Sequence, residues 1–167
     1  KMRSQIIQVV VKAVGGAVPV FVGTAANSLE DTIENSVEAE ALGADMIMLC
    51  TPPVGNASQE EVFDYYKKVC ASVKIPVIVQ DTGASFGVMN AEFLVRLYNE
   101  IENIQYVKVE GGNWFDKLHQ LMEIAPDGMQ VIGGAAGMKM IYMLKLGITA
   151  FMTGTEALEL HNGVVQA

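Results

Sequence analysis

Short apolar runs alternate with longer amphipathic stretches along the whole sequence, and this alternation limits the fold more than any other feature. Val18–Gly23, Met46–Cys50, Pro76–Val79, Ile104–Gly112, Met129–Gly134 and Thr149–Gly154 read as strands. They are mostly continuous apolar runs, as expected of strands covered on both faces. The stretches between them carry apolar residues at helical spacing: Leu29, Ile33, Val37 and Ala41 in one, Val62, Tyr65, Tyr66 and Val69 in the next. Phe93, Leu94, Leu97, Tyr98 and Ile101 follow, then Trp114, Leu118, Leu121, Met122 and Ala125 with Pro126 as a stop, then a Met-rich helix over Met138–Leu146. Helices are also expected over residues 1–14 and from Glu156–His161. Ser28 with Asp31 and Ser58 with Glu61 have the spacing of capping boxes, Asn90 can cap a third helix, and Gly43 and Gly147 end helices. Strands and helices in strict alternation predict a parallel sheet, either an open doubly wound sheet or a (β/α)8 barrel.

The lysine strand weighs towards the barrel. Side chains alternate along a strand, so Tyr106, Lys108 and Glu110 share one side while Val107 and Val109 share the other. The valines require an apolar layer, which leaves the other three facing a more polar interior of the kind found near the active end of a barrel. Desolvation lowers a lysine's pKa, and a neutral amine condenses with a carbonyl to form an imine. A lysine salt-bridged to Glu110, or reaching solvent, is the alternative for Lys108 taken alone.

Composition bounds the function. The 167 residues suffice for one domain with a true core, and the 51% apolar and 18% charged content describes a globular chain. A net charge of −8 without a basic cluster argues against nucleic-acid and anionic-membrane surfaces, so any anion site must be local. Cys50 and Cys70 lack metal-ligand spacing, no run approaches membrane-spanning length, and the expected setting is cytoplasmic and reducing. His119 and His161 have no carboxylate pattern around them and suit surface or packing roles. Asp81, beside Gln80, reads as a turn residue. Gly111-Gly112, Gly133-Gly134 with Gly137, and Gly154 fall at strand ends, where backbone amides can cradle phosphate or merely permit tight turns.

Taken in order, V-P-V-F-V-G-T-A-A-N at Val18–Asn27, Thr51-Pro52 with Ser58-Gln59-Glu60, Pro76–Val79, Val107-Lys108, Gly133-Gly134 and Met152–Gly154 resemble the dihydrodipicolinate synthase/N-acetylneuraminate lyase family of class I aldolases and hydro-lyases. The resemblance implies a parallel (β/α)8 TIM barrel with about six of its eight units present, residues 1–167 forming a single partial barrel domain. It implies Lys108 as the Schiff-base lysine, no cofactor, no metal, and a pyruvate-like or sugar-derived 2-keto acid as substrate, with a homo-oligomer expected. The family's first two units, which carry a paired threonine motif for the substrate carboxylate, and its C-terminal helices have no counterpart, so an incomplete chain is expected, with an exposed apolar seam along the arc.

The departures shift the site. The family's catalytic tyrosine aligns with Gln80, its carboxylate-binding arginine with Ser85, and its aromatic pair with Pro53-Val54, while Glu110 stands where the family commonly has a small residue. The expected site is therefore Lys108, Glu110 and Gln80 as catalytic residues, with Thr51, Gly133 and Gly134 against the substrate. Glu110 is either an acid/base replacing the lost phenol or a salt-bridge partner that quenches the amine. A phosphate-binding barrel without covalent catalysis, or a non-catalytic relative, are the alternatives.

Overall fold

A computed structural model describes residues 2–51, 57–82, 89–111 and 113–166. Six strands follow one another in space as in sequence, all parallel: β1 (Phe21–Gly23), β2 (Met46–Cys50), β3 (Val77–Asp81), β4 (Ile104–Val109), β5 (Gln130–Ala136) and β6 (Ala150–Thr153). The helices are α1 (Met2–Val14), α2 (Leu29–Ala41), α3 (Gln59–Cys70), α4 (Ala91–Glu100), α5 (Trp114–Ile124), α6 (Met140–Lys145) and α7 (Leu158–Gln166), the last preceded by a 3-10 turn at Thr155–Ala157.

The helix starts obey the capping chemistry. Ser58 and Glu61 satisfy each other's backbone amides, and Asn90 Oδ1 accepts from Phe93 N at 2.9 Å. At Ser28 the side chain accepts from Asp31 N at 3.1 Å, which makes one arm of the expected box. Period-two burial then separates the two faces of the sheet. Ile47, Leu49, Val77, Val79, Val107 and Val109 are wholly buried in the core that also takes Leu94, Leu97, Leu118 and Leu121 from the helices. The opposite, concave face carries Met48, Ile78 and Tyr106 in one row, with Cys50, Gln80, Lys108 and Ile132 in the next, as the register sets them side by side.

Several boundaries differ from expectation for physical reasons. The first strand begins at Phe21, not Val18: Pro19 has no N–H for a ladder, and Val18 and Phe21 are exposed on an edge. Gln80 and Asp81, read as loop, belong to β3, because pairing with β4 continues through Gln80↔Lys108 and Asp81↔Val109. Conversely β4 stops at Val109, although Glu110 N still donates to Asp81 O at 3.1 Å. The Met-rich helix starts only at Met140, since Ala135, Ala136 and Gly137 all take left-handed φ (54°, 54° and 79°). Among the described residues no ladder joins β1 to β6, so the arc has two open edges. The expected apolar seam is present at its ends: Met2, Ile6 and Val9 on α1, and Ile141, Tyr142 and Leu160 on α6 and α7, are exposed.

Candidate active site

Strand register brings Gln80 of β3 directly beside Lys108 of β4, both on the concave face. Glu110, two residues beyond Lys108, shares that side. Lys108 is buried, and its Nζ lies 3.1 Å from Glu110 Oε1 and 3.0 Å from Oε2, straddling the carboxylate. Gln80 Nε2 donates to Glu110 Oε1 in a short hydrogen bond, and the backbone N–H of Ala135, at the end of β5, donates to Oε2 at 3.1 Å. Three adjacent strands thus converge on one carboxylate. Burial pushes the Glu110 carboxyl up, but the donors from Gln80, Ala135 and Lys108 together outweigh it and hold the group below the ordinary carboxylate range. Glu110 is therefore an ionised acceptor at neutral pH.

The glycine pair owes its identity to this packing. A Cβ on Gly134 would lie 2.6 Å from Glu110 Oε2 and 2.7 Å from Glu110 Cβ, so the carboxylate occupies the space a side chain would fill. Gly133 makes room on the other face, where a Cβ would meet Met143 Sδ at 2.6 Å and the Phe151 ring at 2.7 Å. Ala135 and Ala136 follow in left-handed backbone, which costs L-residues ~1–2 kcal/mol apiece. That strained turn delivers the Ala135 amide to Glu110.

Thr51 ends up buried beside the phenol of Tyr66 on α3, apart from the Lys108–Glu110–Gln80 group in the register. Tyr66 OH also donates to Leu49 O at 3.3 Å, and its complete burial pushes the phenol well up, with Thr51 acting against the shift. Pro53, Val54, Ser85 and Gly112 lie outside the described residues. His119 is exposed and stacks on Phe115 with ring centroids 4.6 Å apart, while His161 packs over Gly137, so both histidines have packing surroundings. Among the described residues no three His, Cys, Asp or Glu side chains are grouped to hold a metal ion.

Two features carried no recognisable signal in the sequence. Asp81, read as a turn residue, is fully buried on the helix face of β3 and pairs with Lys117 of α5 through a short contact. The left-handed Ala135-Ala136 pair has no residue-type signature, since neither alanine favours that conformation; only the flanking glycines hinted at an unusual turn.

A curled arc of parallel βα units, with buried polar groups gathered at strand C-terminal ends, defines part of a β/α barrel. The chain belongs to the dihydrodipicolinate synthetase family, whose model matches residues 1–161. It is 31% identical over 156 residues to the L-2-keto-3-deoxyarabonate dehydratase of Azospirillum brasilense, covering 91% of this chain and 50% of that protein. It is 36% identical over 133 residues to 4-hydroxy-tetrahydrodipicolinate synthase 1 of Halalkalibacterium halodurans, covering 79% and 44%. Among solved structures, dihydrodipicolinate synthase DapA-2 of Bacillus anthracis superposes with a TM-score of 0.82 at 27% identity, over 90% of this chain and 51% of that one. Dihydrodipicolinate synthase of Aquifex aeolicus shares the fold with a TM-score of 0.84 at 21% identity, over 96% and 54%. The chain spans about half the length of these relatives.

Proposed function

We propose that this chain carries the covalent centre of a lyase that acts on a 2-keto acid through an imine at Lys108, as an aldolase or a dehydratase. The observation that carries the reading is a buried lysine on the concave face with a carboxylate straddled by its ammonium. In this reading Glu110 takes a proton from the Lys108 ammonium as the substrate carbonyl arrives. The freed Nζ lone pair attacks C2, a proton passes from that nitrogen to the carbonyl oxygen to give the carbinolamine, and its hydroxyl then leaves as water with the proton returned by Glu110. Condensation thus ends on a protonated imine and an ionised Glu110. The imine nitrogen keeps the positive charge that Lys108 carried, so the same ion pair persists with a new cation. That cation accepts the electron pair released when a bond at C3 breaks, which is the step common to retro-aldol cleavage and dehydration.

Gln80 cannot relay a proton as a phenol does. Its amide instead holds Glu110 Oε1 and leaves Lys108 and Ala135 to fix the rest of the carboxylate. The phosphate-binding alternative is weakened at its main candidate loop: the Gly134 approach is filled by a carboxylate, which repels a phosphate. Of the expected substrate contacts only Gly134 borders the Glu110 carboxylate, since Thr51 lies buried beside Tyr66 and the side-chain direction of Gly133 meets Met143 and Phe151; a small 2-keto acid and further copies of the chain in a homo-oligomer are the partners this reading proposes.

Borohydride reduction in the presence of pyruvate, followed by peptide mass spectrometry of the full chain, tests the reading. A pyruvate-derived adduct is expected on Lys108 alone. Lys108→Ala should lose it completely, and so should Lys108→Arg, whose guanidinium stays protonated and cannot attack. No adduct, or an adduct on another lysine, overturns the proposal.

A further inference from the structure

The left-handed turn after β5 is held from two sides. On the concave side Ala135 N donates to Glu110 Oε2. The turn then closes on itself, with Gly137 N donating to Gly134 O at 3.2 Å and Met138 N to Ala135 O at 3.1 Å. Against its far end lies His161 of α7. A Cβ on Gly137 would stand 2.8 Å from His161 Nε2, 3.1 Å from His161 Cδ2 and 3.0 Å from Thr153 Cγ2 on β6. The imidazole and the threonine methyl therefore rest directly on the Gly137 backbone. Every other residue of α7 is exposed, including Leu158, Leu160, Val164 and Val165, whereas His161 is half-buried. Its Nδ1 is buried with no hydrogen-bond partner among the described residues, so packing keeps the ring in place and not a bond from that nitrogen. Contacts thus run without a gap from His161 to Gly137, across the turn to Gly134 and Ala135, and on to the Glu110 carboxylate.

We infer that His161 is a positioning residue: through Gly137 it holds the Ala135 turn in the form that fixes the Glu110 carboxylate against Lys108. Its effect on the reaction rests on the imine reading above, while its effect on Glu110 does not. Two successive alanines in left-handed backbone keep that conformation only where their surroundings over-determine it. Taking the ring away opens space beside Gly137. The turn can then relax towards ordinary backbone, and the relaxation withdraws the Ala135 N–H from Oε2. Glu110 keeps its bonds to Gln80 and Lys108 but loses the one donor that comes from β5.

A double-mutant cycle of His161→Ala with Glu110→Gln, read by denaturant unfolding of the full chain, tests the link. Sites that do not communicate give additive losses. Here His161→Ala should cut the folded-to-unfolded ratio about fivefold more in the wild-type background than in the Glu110→Gln background. His161→Phe, which keeps a ring over Gly137, should show no such excess, and neither should Leu160→Ala on the exposed side of α7. In borohydride trapping with pyruvate, His161→Ala should slow the maximal rate several-fold and leave the half-saturating concentration unchanged. His161→Phe should restore the rate. Additive losses in the cycle, or an equal coupling from Leu160→Ala, overturn the inference. A coupled cycle with wild-type trapping kinetics in His161→Ala overturns its role in the reaction. Absence of any adduct on the wild-type chain overturns the imine reading instead, and the cycle still decides whether His161 sets Glu110.

Discussion

Two lysine–carboxylate pairs flank the sheet at nearly the same level, and they are built in opposite senses. On the helix face Asp81 is the deep partner, its side chain 1% exposed, and Lys117 reaches it from the rim at 17%. On the concave face Lys108 is the deep partner at 8% and Glu110 the outer one at 18%. A deep carboxylate tied to a lysine on α5 fixes a helix against a strand end and offers nothing to a ligand. A deep lysine behind an outer carboxylate places an ammonium and its counter-charge on the concavity, and on the proposed route that carboxylate is the proton acceptor for an incoming carbonyl's attack. The same two residue types thus make a structural tie on one face and a candidate reactive centre on the other. What separates them is which partner the sheet buries.

The sharpest way to break that contrast is to remove one partner from each pair. Asp81→Asn leaves a lysine directed at a neutral buried amide, and a broken buried pair costs roughly 3–5 kcal/mol. Denaturant unfolding should show this loss. A wild-type midpoint in Asp81→Asn would mean that the pair carries no tie between β3 and α5.

Gly134→Ala comes next. Its Cβ would sit 2.6 Å from Glu110 Oε2, so the carboxylate has to swing away from the Ala135 amide. A stability loss of roughly 1–3 kcal/mol is expected from overpacking. Pyruvate trapping should slow at the same time, because Glu110 no longer faces Lys108 squarely. Unchanged trapping kinetics would separate Glu110 from the amine's chemistry.

Glu110→Gln leaves the buried Lys108 ammonium without its counter-charge, but the outer carboxylate is reached by water, so its stability loss should fall below that of Asp81→Asn. Its signature is in the pH dependence. The Glu110 carboxyl is held below its ordinary value of 4.5 in the folded chain, so its contribution is complete above that value and fades as pH falls through the lower folded-state value. The stability gap between wild type and Glu110→Gln should therefore be flat at neutral pH and close in acid below 4.5. A gap that widens in acid contradicts the direction of the shift. Imine formation should slow in this variant together with turnover, whereas a pair that only quenches the amine would give faster trapping.

These contrasts also show what the sequence could and could not reveal. The alternation of apolar runs and amphipathic helices specifies the parallel βα order, because each strand must be buried on the helix side. Period two places Lys108 and Glu110 on one face without further information, and the family match adds the barrel. Asp81 went unrecognised because Gln80-Asp81 is polar and precedes a loop-like stretch, while the ladder that keeps both in the strand pairs them with Lys108 and Val109 on β4, far along the chain. Nothing in the sequence distinguishes Lys117 from a solvent-facing helix lysine, because its partner Asp81 sits on a different element. The Ala135-Ala136 backbone was illegible for a different one: tertiary contacts with Glu110, and not the alanines' own preferences, select it. The start of β1 was legible in principle, since Pro19 forbids the ladder bond that a longer strand requires.

The bond from the Ala135 amide to Glu110 Oε2 has a consequence for observing the molecule at work. An amide in a strained turn ordinarily exchanges its proton readily with water, yet this one is tethered to a carboxylate as firmly as a strand amide is to its carbonyl. Its resonance is therefore tied to the electron density on a single oxygen. If Glu110 gains a proton, or if the cation opposite it turns from ammonium to iminium as proposed, that oxygen changes, and one backbone proton on β5 would register the event from outside the chemistry.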